Sequence, residues 1–380
     1  MNDKCVSVVV EHRFYSYKNK VYTKLSFPYL YWQDYLKYFK SVKVIARVKQ
    51  VDSIDSTFVR VDGEGVTVFP MPYYVGMFGF FRSLPRILKF ANNYVGKDNK
   101  FILRSGNVSN VIWLFVMFRK CLYLREYPGN IKEGIIGYSG RGFLNVVLAN
   151  FLHLFAKFQG KYSKANSFVS SYCEEIYSSN VPSYVFSSFN SDEIKFKKKS
   201  FHRTDKVELI SVGRLEGEKG HADLIFSLSE IKLDIPLELT LIGDGTKLST
   251  LKLLSEQYGV KVNFTGAISN RERLFKHLEQ ADLFVIPSHT EGMPRALLEA
   301  MAIGLPCIGS SVGGIPEVLD DQMLFYPNNP DSCRKKILEL INDRNAAELQ
   351  SRRNVNFIHD NYSKESLDDK KINFWSELYS

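Results

Sequence analysis

The sequence predicts an α/β protein of two domains, and three observations carry that prediction. Runs rich in β-branched residues alternate with helical stretches in the first half. The same alternation starts again near residue 207, and a polar, charged seam lies between. At 380 residues with 45% apolar content, the chain exceeds one ordinary core and is apolar enough to bury two.

The elements follow in order. Val6–Val10, Val42–Ala46, Val66–Phe69 and Phe101–Arg104 read as strands, being short and rich in β-branched or aromatic residues, and Asn145–Phe158 reads as a helix. They define a first domain over residues 1–190. Residues 191–206, with Lys195-Phe196-Lys197-Lys198-Lys199, lack an apolar period and read as a linker. A second α/β domain spans 207–362. Residues 363–380 read as a last helix, with Ser363 as its cap and Ile372, Phe374, Trp375 and Leu378 as its apolar side.

Composition narrows the class. Five cysteines, an odd number with no Cys-x-x-Cys pair, suggest neither a disulfide framework nor a zinc site, which fits the reducing cytoplasm. The start, Met-Asn-Asp-Lys-Cys followed by Val-Ser-Val-Val-Val, has no long apolar core and reads as a first strand. Charge is divided unevenly: residues 1–200 hold 29 Lys+Arg against 14 Asp+Glu, and residues 201–380 hold 21 against 27. The basic half interleaves aromatics with its cations at Tyr29-Leu30-Tyr31-Trp32, Phe78-Gly79-Phe80-Phe81-Arg82 and Arg86-Ile87-Leu88-Lys89-Phe90. Such a pattern suits an anionic membrane surface and equally suits amphipathic helices packed on a core. The apolar run Val111–Phe118 is too short to span a bilayer.

The most informative stretch runs from Ala281 to Leu319. Ala-Asp-Leu-Phe-Val-Ile reads as a buried strand that stops at Pro287-Ser288, and Pro294 is placed to open a helix at its first position. Glu291 then sits in the loop at the strand's carboxyl end, and Glu299 lies one to two turns inside the helix. In an open parallel sheet, that edge is where ligands bind. A glycine pair, Gly313-Gly314, precedes Ile315-Pro316-Glu317.

Glu-x7-Glu, a small-residue helix, Gly-x-Pro and Gly-Gly-x-Pro-Glu together resemble the donor-site signature of the retaining glycosyltransferases of family 4, also called glycosyl transferases group 1. Upstream, Gly213-Arg214 and Lys219-Gly220 resemble that family's Gly-Arg and Lys-Gly pair. Leu239–Gly245 and Val262–Gly266 resemble its next two strand-to-loop transitions. The resemblance covers about residues 207–320. It implies the GT-B fold: two Rossmann-like α/β domains facing across a cleft, with the C-terminal helix crossing back to the N-terminal domain.

It also implies a division of labour. A nucleotide-diphosphate sugar, UDP- or GDP-linked, offers a diphosphate, a ribose and a hexose to grip. Arg214 and Lys219 suit the diphosphate, aided by N–H groups of the Gly313-Gly314 loop. By resemblance, Glu299 takes the ribose hydroxyls and Glu291 the hexose hydroxyls, with N–H groups near Gly292 and Met293 helping. Gly213 belongs to the same site, Gly266 contacts the base through its backbone, and Glu291, Arg214 and Lys219 are the catalytic set. No cofactor is implied, and no His/Asp/Glu cluster with metal-ligand spacing is visible. The Gly243-Asp244-Gly245 turn reads as structural.

The first domain should then hold the acceptor, a glycan or polyprenyl-diphosphate-linked glycan, and here the chain departs from the family. Many members follow the first strand with a glycine-rich loop, where this chain has Val10-Glu11-His12-Arg13-Phe14. That segment, with Val21-Tyr22-Thr23, Tyr31-Trp32 and Val44–Val48, resembles a bacterial branch serving surface polysaccharides such as capsule or lipopolysaccharide. His12 and Arg13, at the end of the first strand, and Arg104 are candidate acceptor contacts, though His12 is equally placed to satisfy a loop hydrogen bond. Arg125-Glu126-Tyr127 and Tyr138-Ser139-Gly140-Arg141 are further candidates. The implied protein is cytoplasmic, peripheral on the inner face of the cell membrane.

Three other classes are weighed. A nucleic-acid-binding protein would explain the basic half but shows no recognisable motif and leaves Arg214, Lys219, Glu291 and Glu299 without a role. A dinucleotide oxidoreductase needs Gly-x-Gly-x-x-Gly after the first strand, which Val10-Glu11-His12-Arg13 excludes. A sugar-nucleotide epimerase on the same fold stays open.

Overall fold

The computed structural model describes residues 4–24, 26–140, 142–187, 189, 206–268 and 270–380. Of the expected linker, only Lys206 falls among them, and Arg141 also lies outside the described residues.

The first sheet holds β1 (Cys5–Tyr17), β2 (Lys20–Thr23), β3 (Ser41–Gln50), β4 (Val59–Arg60), β5 (Val66–Met71), β6 (Phe101–Arg104), β7 (Tyr123–Tyr127), β8 (Asn166–Phe168) and β9 (Ser183–Val185). Its parallel strands run in the order β5-β3-β1-β6-β7-β8-β9, while β2 and β4 form an antiparallel extension beside β1. Helices α1 (Tyr29–Leu36), α2 (Gly76–Tyr94), α3 (Asn107–Phe118), α4 (Ile131–Ser139), α5 (Phe143–Lys161) and α6 (Ser171–Tyr177) connect them. The second sheet is parallel throughout: β10 (Val207–Val212), β11 (Leu237–Ile242), β12 (Lys261–Gly266), β13 (Leu283–Ile286), β14 (Cys307–Ser310) and β15 (Leu324–Phe325), in the order β12-β11-β10-β13-β14-β15. Its helices are α7 (His221–Ser229), α8 (Leu248–Gln257), α9 (Arg271–Gln280), α10 (Arg295–Ala302), α11 (Pro330–Asn342) and α12 (Arg344–Tyr362), followed by α13 (Lys364–Ser376).

Parallel strands covered on both faces favour apolar runs, and the central strands show them. Val8, Val9 and Val10 are all buried, as is every residue of β13. One face of the first sheet packs on α1 and the other on α2 and α3. The C-terminal helix returns to the first domain: Trp375 stacks near Tyr35 at 4.7 Å, Lys371 pairs with Asp34 at 2.9 Å, and the Tyr184 hydroxyl donates to Glu377 at 2.7 Å. Two helices of aromatics meeting across a sheet edge therefore tie the chain's end to its beginning.

Two expectations need correction. The first strand does not end at Val10. β1 runs on to Tyr17 because residues 13–16 pair with Arg47–Gln50 of β3 and residues 15–17 with β2. Its hairpin turns at Lys18 and Asn19, both with positive φ (46° and 58°), the geometry whose twist matches the flanking strands. In addition, Tyr29–Trp32 is no surface band: Trp32 is fully buried against Phe27, Tyr31 and Tyr35. A smaller difference is that Pro294 precedes α10 as its cap instead of filling its first position.

Candidate active site

The site is assembled where β10 and β13 end. Gly213 leaves β10 with its N–H bonded to the Ile242 carbonyl, and Gly243 packs on it so tightly that a Cβ there would lie 1.8 Å from the Gly213 oxygen. With φ of 151°, Gly243 is also in a region that side chains avoid. The Gly243-Asp244-Gly245 turn is thus a brace beneath Gly213–Leu215.

The chain then turns through Gly217–Lys219 and enters α7. Arg214 is 61% exposed and pairs with the nearly buried Glu218 at 2.7 Å. Lys219 points the other way and meets Glu291 Oε1 at 2.6 Å, an oxygen that also accepts from the Ser288 hydroxyl at 2.7 Å. Both cations proposed for the diphosphate are therefore held by carboxylates of the protein itself.

The Gly313-Gly314 loop closes against the Glu291 loop. A Cβ on Gly313 would sit 2.0 Å from the Glu291 carbonyl oxygen, and the Gly314 N–H bonds to the Gly292 carbonyl at 2.8 Å. Two glycines are needed because two backbones touch. Met293 packs beside them, with its methyl 3.0 Å from where a Gly314 Cβ would be. Glu299 is buried in α10, flanked by Arg271 at 3.8 Å and Arg295 at 3.9 Å. Gly266 closes β12 with φ of 73° and open space beside its Cα, as a backbone contact to a ligand would require.

The first domain reaches this site through groups that sequence reasoning did not single out. Glu133 of α4 accepts from the Thr290 hydroxyl at 2.8 Å and the Tyr172 hydroxyl at 2.6 Å, so it joins α4 and α6 to the loop that carries Glu291. Glu317 accepts from the N–H groups of Ser171 and Tyr172 at 2.9 and 2.7 Å, at the start of α6. Glu317 closes the Gly-Gly-x-Pro-Glu stretch, so its position was visible though its partner was not. Pro128 and Gly129 press on Gly292 from the same side. A cavity of about 880 Å³ opens beside this seam, lined by Glu133, His153 and Tyr172 from one domain and by Gly217, Glu218 and Thr290 from the other.

The three acceptor-side candidates are placed differently. His12 lies within the prolonged β1, bonded to the Thr23 hydroxyl at 3.1 Å with its ring against Phe14 and Phe27. The loop-hydrogen-bond reading fits it better than a cleft contact. Arg13 is exposed on the same strand, opposite Arg47 of β3. Arg104 ends β6 bonded to the Tyr31 hydroxyl and paired with Glu126 at 3.3 Å, and it lines an 80 Å³ cavity closed by α1 and α13. The place expected for a glycine loop is occupied by Glu11, which accepts from the Val108 N–H at 2.7 Å at the start of α3 and pairs with Arg47 at 3.1 Å. Of the further candidates, Arg125 is buried and spends its guanidinium on the Leu103 and Glu126 carbonyls and the Ser105 hydroxyl.

A buried histidine, His221, and a half-buried one, His12, give the fold an acid-sensitive range. Burial, with Lys219 nearby, pushes His221 down to about 4, and burial with Arg47 and Arg13 does the same for His12. Each ring is neutral in the fold and takes a proton more readily when unfolded. Their stability is therefore fully present above the ordinary value near 6.5 and is lost as pH falls toward 4. Melting temperature should fall steadily between pH 6.5 and 4, with a shallower fall in His221→Gln. An identical pH slope in wild type and variant would remove His221 from this account.

Residues 192–356 match the family described as Glycosyl transferases group 1. That part of the chain is similar to a glycosyltransferase domain. Over 189 residues, 48% of each chain, the sequence is 31% identical to an uncharacterized glycosyltransferase of Methanocaldococcus jannaschii, so the match spans about half the length of that relative. Protein CapJ of Staphylococcus aureus is 23% identical over 350 residues, 89% of this chain and 88% of CapJ. Among solved structures, Anabaena HepE in complex with UDP aligns over 98% of this chain and 99% of its own, with a TM-score of 0.68 at 13% identity. The whole chain has the GT-B fold.

Proposed function

We propose that the protein transfers a hexose from a nucleotide-diphosphate sugar to a glycan carried on a polyprenyl diphosphate, with retention of configuration, in surface-polysaccharide synthesis at the cytoplasmic face of the membrane. The observation that carries this reading is the Lys219–Glu291 pair, with Arg214 on the same β10 loop, set against the paired Gly292 and Gly313-Gly314 loops at the carboxyl edge of the second sheet and under the first domain. The UDP bound to HepE supports a nucleotide donor for this fold.

In this reading the diphosphate displaces Glu218 and Glu291 from the two cations. Glu291 is then released toward the hexose hydroxyls and Glu299 holds the ribose. The bond from the anomeric carbon to the phosphate oxygen breaks, while the acceptor oxygen bonds to the same face of that carbon. The acceptor's proton passes to the leaving phosphate oxygen. Charge grows on the diphosphate as this happens, so Arg214 and Lys219 bind the transition state more strongly than the ground state. They supply the positive charge that the step needs without a resident divalent ion. Glu291 acts by orienting the sugar and is not a nucleophile.

The test is release of nucleotide diphosphate from UDP- and GDP-sugars with and without a polyprenyl-diphosphate glycan. Acceptor-dependent release with a new glycosidic bond is expected. An epimerised sugar nucleotide formed without acceptor would overturn the reading.

A further inference from the structure

The largest unexplained feature of the molecule is the outer face of α5. Phe143, Leu144, Val147, Phe151, Leu154, Phe158 and Tyr162 are all exposed, Phe143 at 82% and Leu154 at 65%. At 100° per residue these positions fall within an arc of about 100°, a single stripe running the length of the helix. A monomer in water gains nothing from such a stripe, and contiguous exposed apolar patches of this kind mark interaction sites.

The stripe has neighbours. α3 packs beside α5 through Trp113 with Phe155 and Phe158, and through Gln159 with Asn110, and it exposes Leu114 and Phe118. α2 packs on the same core beside α3 and exposes Met77, Phe78 and Phe81. None of the three helices contains a single Asp or Glu, while Arg82, Arg86, Lys89, Lys157 and Lys161 border the apolar side chains. An apolar stripe on helices whose own charged residues are all cations is complementary to acyl chains beneath anionic headgroups and mismatched to water. Among the described residues no helix is long and apolar enough to cross a membrane, so the fit is to a surface.

The inner face of the same helix decides the orientation. Val146 and His153, on the side of α5 away from the stripe, line the 880 Å³ cavity beside the Glu291 loop. We infer that α5 is the membrane-inserting element of this protein, lying at the headgroup level of an anionic bilayer with α2 and α3 as its flank, so that the interdomain cavity sits directly behind the lipid-bound helix. This rests on the lipid-linked acceptor proposed above and places the docking face mainly on α5 instead of on residues 78–90 alone.

The experiment uses the whole protein and vesicles of phosphatidylglycerol or phosphatidylcholine, without any sugar donor. Wild type should co-sediment with phosphatidylglycerol at least tenfold better than with phosphatidylcholine. The variant Phe151→Ser/Leu154→Ser/Phe158→Ser should lose at least tenfold while keeping its melting temperature and its affinity for UDP. Because Phe158 touches Trp113, a second variant guards against a folding defect: Phe151→Trp should shift its emission to the blue with phosphatidylglycerol and be quenched by brominated acyl chains. Unchanged sedimentation of the triple variant, or no spectral shift at position 151, overturns the α5 assignment and leaves the donor reading intact. Failure of wild type to bind either vesicle overturns both this inference and the membrane-held acceptor. A wild-type dimer that becomes monomeric in the triple variant would show that a second copy covers the stripe, and would overturn it too.

Discussion

Glu291→Gln and Glu299→Ala should each cut transfer by tenfold or more while the protein stays folded. Each carboxylate is assigned a charged hydrogen bond to a donor hydroxyl, and losing one costs ~1.5–3 kcal/mol, or about 10- to 150-fold. The two variants should differ in kind. Gln at position 291 can still accept from Ser288, but it loses the charge that holds Lys219 at 2.6 Å, so both sugar orientation and the lysine's position suffer. Turnover should fall more than donor affinity. Glu299 lies inside α10, where Ala is an excellent helix former, so the helix survives. Its loss removes a ribose contact made equally in ground and transition states, and should appear mainly in the donor KM. Steady-state kinetics with melting curves decide this. Wild-type kcat/KM for the donor in both variants would end the donor-site assignment.

The loops of the candidate donor site were legible because their geometry depends on backbone. Gly313 and Gly314 occur where two backbone segments approach so closely that a Cβ would lie under 3 Å from the other segment, and no other residue fits there, so the glycine pair marks the place. Glu291 and Glu299 are fixed by the strand-loop-helix pattern in the same way. The fold was legible for a similar reason, since parallel buried strands leave continuous apolar runs. What sequence reasoning could not see were pairings between distant segments. Glu133 with Thr290, and Glu317 with the start of α6, join residues more than a hundred positions apart, and nothing local marks them. The end of β1 was misjudged because its second half is held by partners elsewhere, at Arg47–Gln50 and Lys20–Tyr22, and opens on the polar run Glu11-His12-Arg13 before the buried Phe14. The aromatic clusters show the same limit: Trp32 and Phe151 are both apolar, yet one is wholly buried and the other mostly exposed. Composition could not sort them.

Arg214→Ala and Lys219→Ala should raise the donor KM and also slow turnover, because the diphosphate gains charge as the glycosidic bond breaks. Arg214 is itself largely exposed, but its partner Glu218 is buried, so Arg214→Ala strands a carboxylate and should lower the melting temperature as well as activity. Lys219 is mostly buried with Glu291, and Lys219→Ala strands a nearly buried carboxylate without its cation. That variant should lose melting temperature as well as activity, and Lys219→Ala/Glu291→Gln should recover stability without recovering transfer. Arg214→Lys should not restore full rate, since an ammonium cannot present the planar fork that grips two phosphate oxygens at once. Calorimetry with UDP and GDP, beside kcat and KM, tests the set. If nucleotide diphosphate binds all of these variants as tightly as wild type, the cations do not grip the diphosphate, and their pairing with Glu218 and Glu291 is structural.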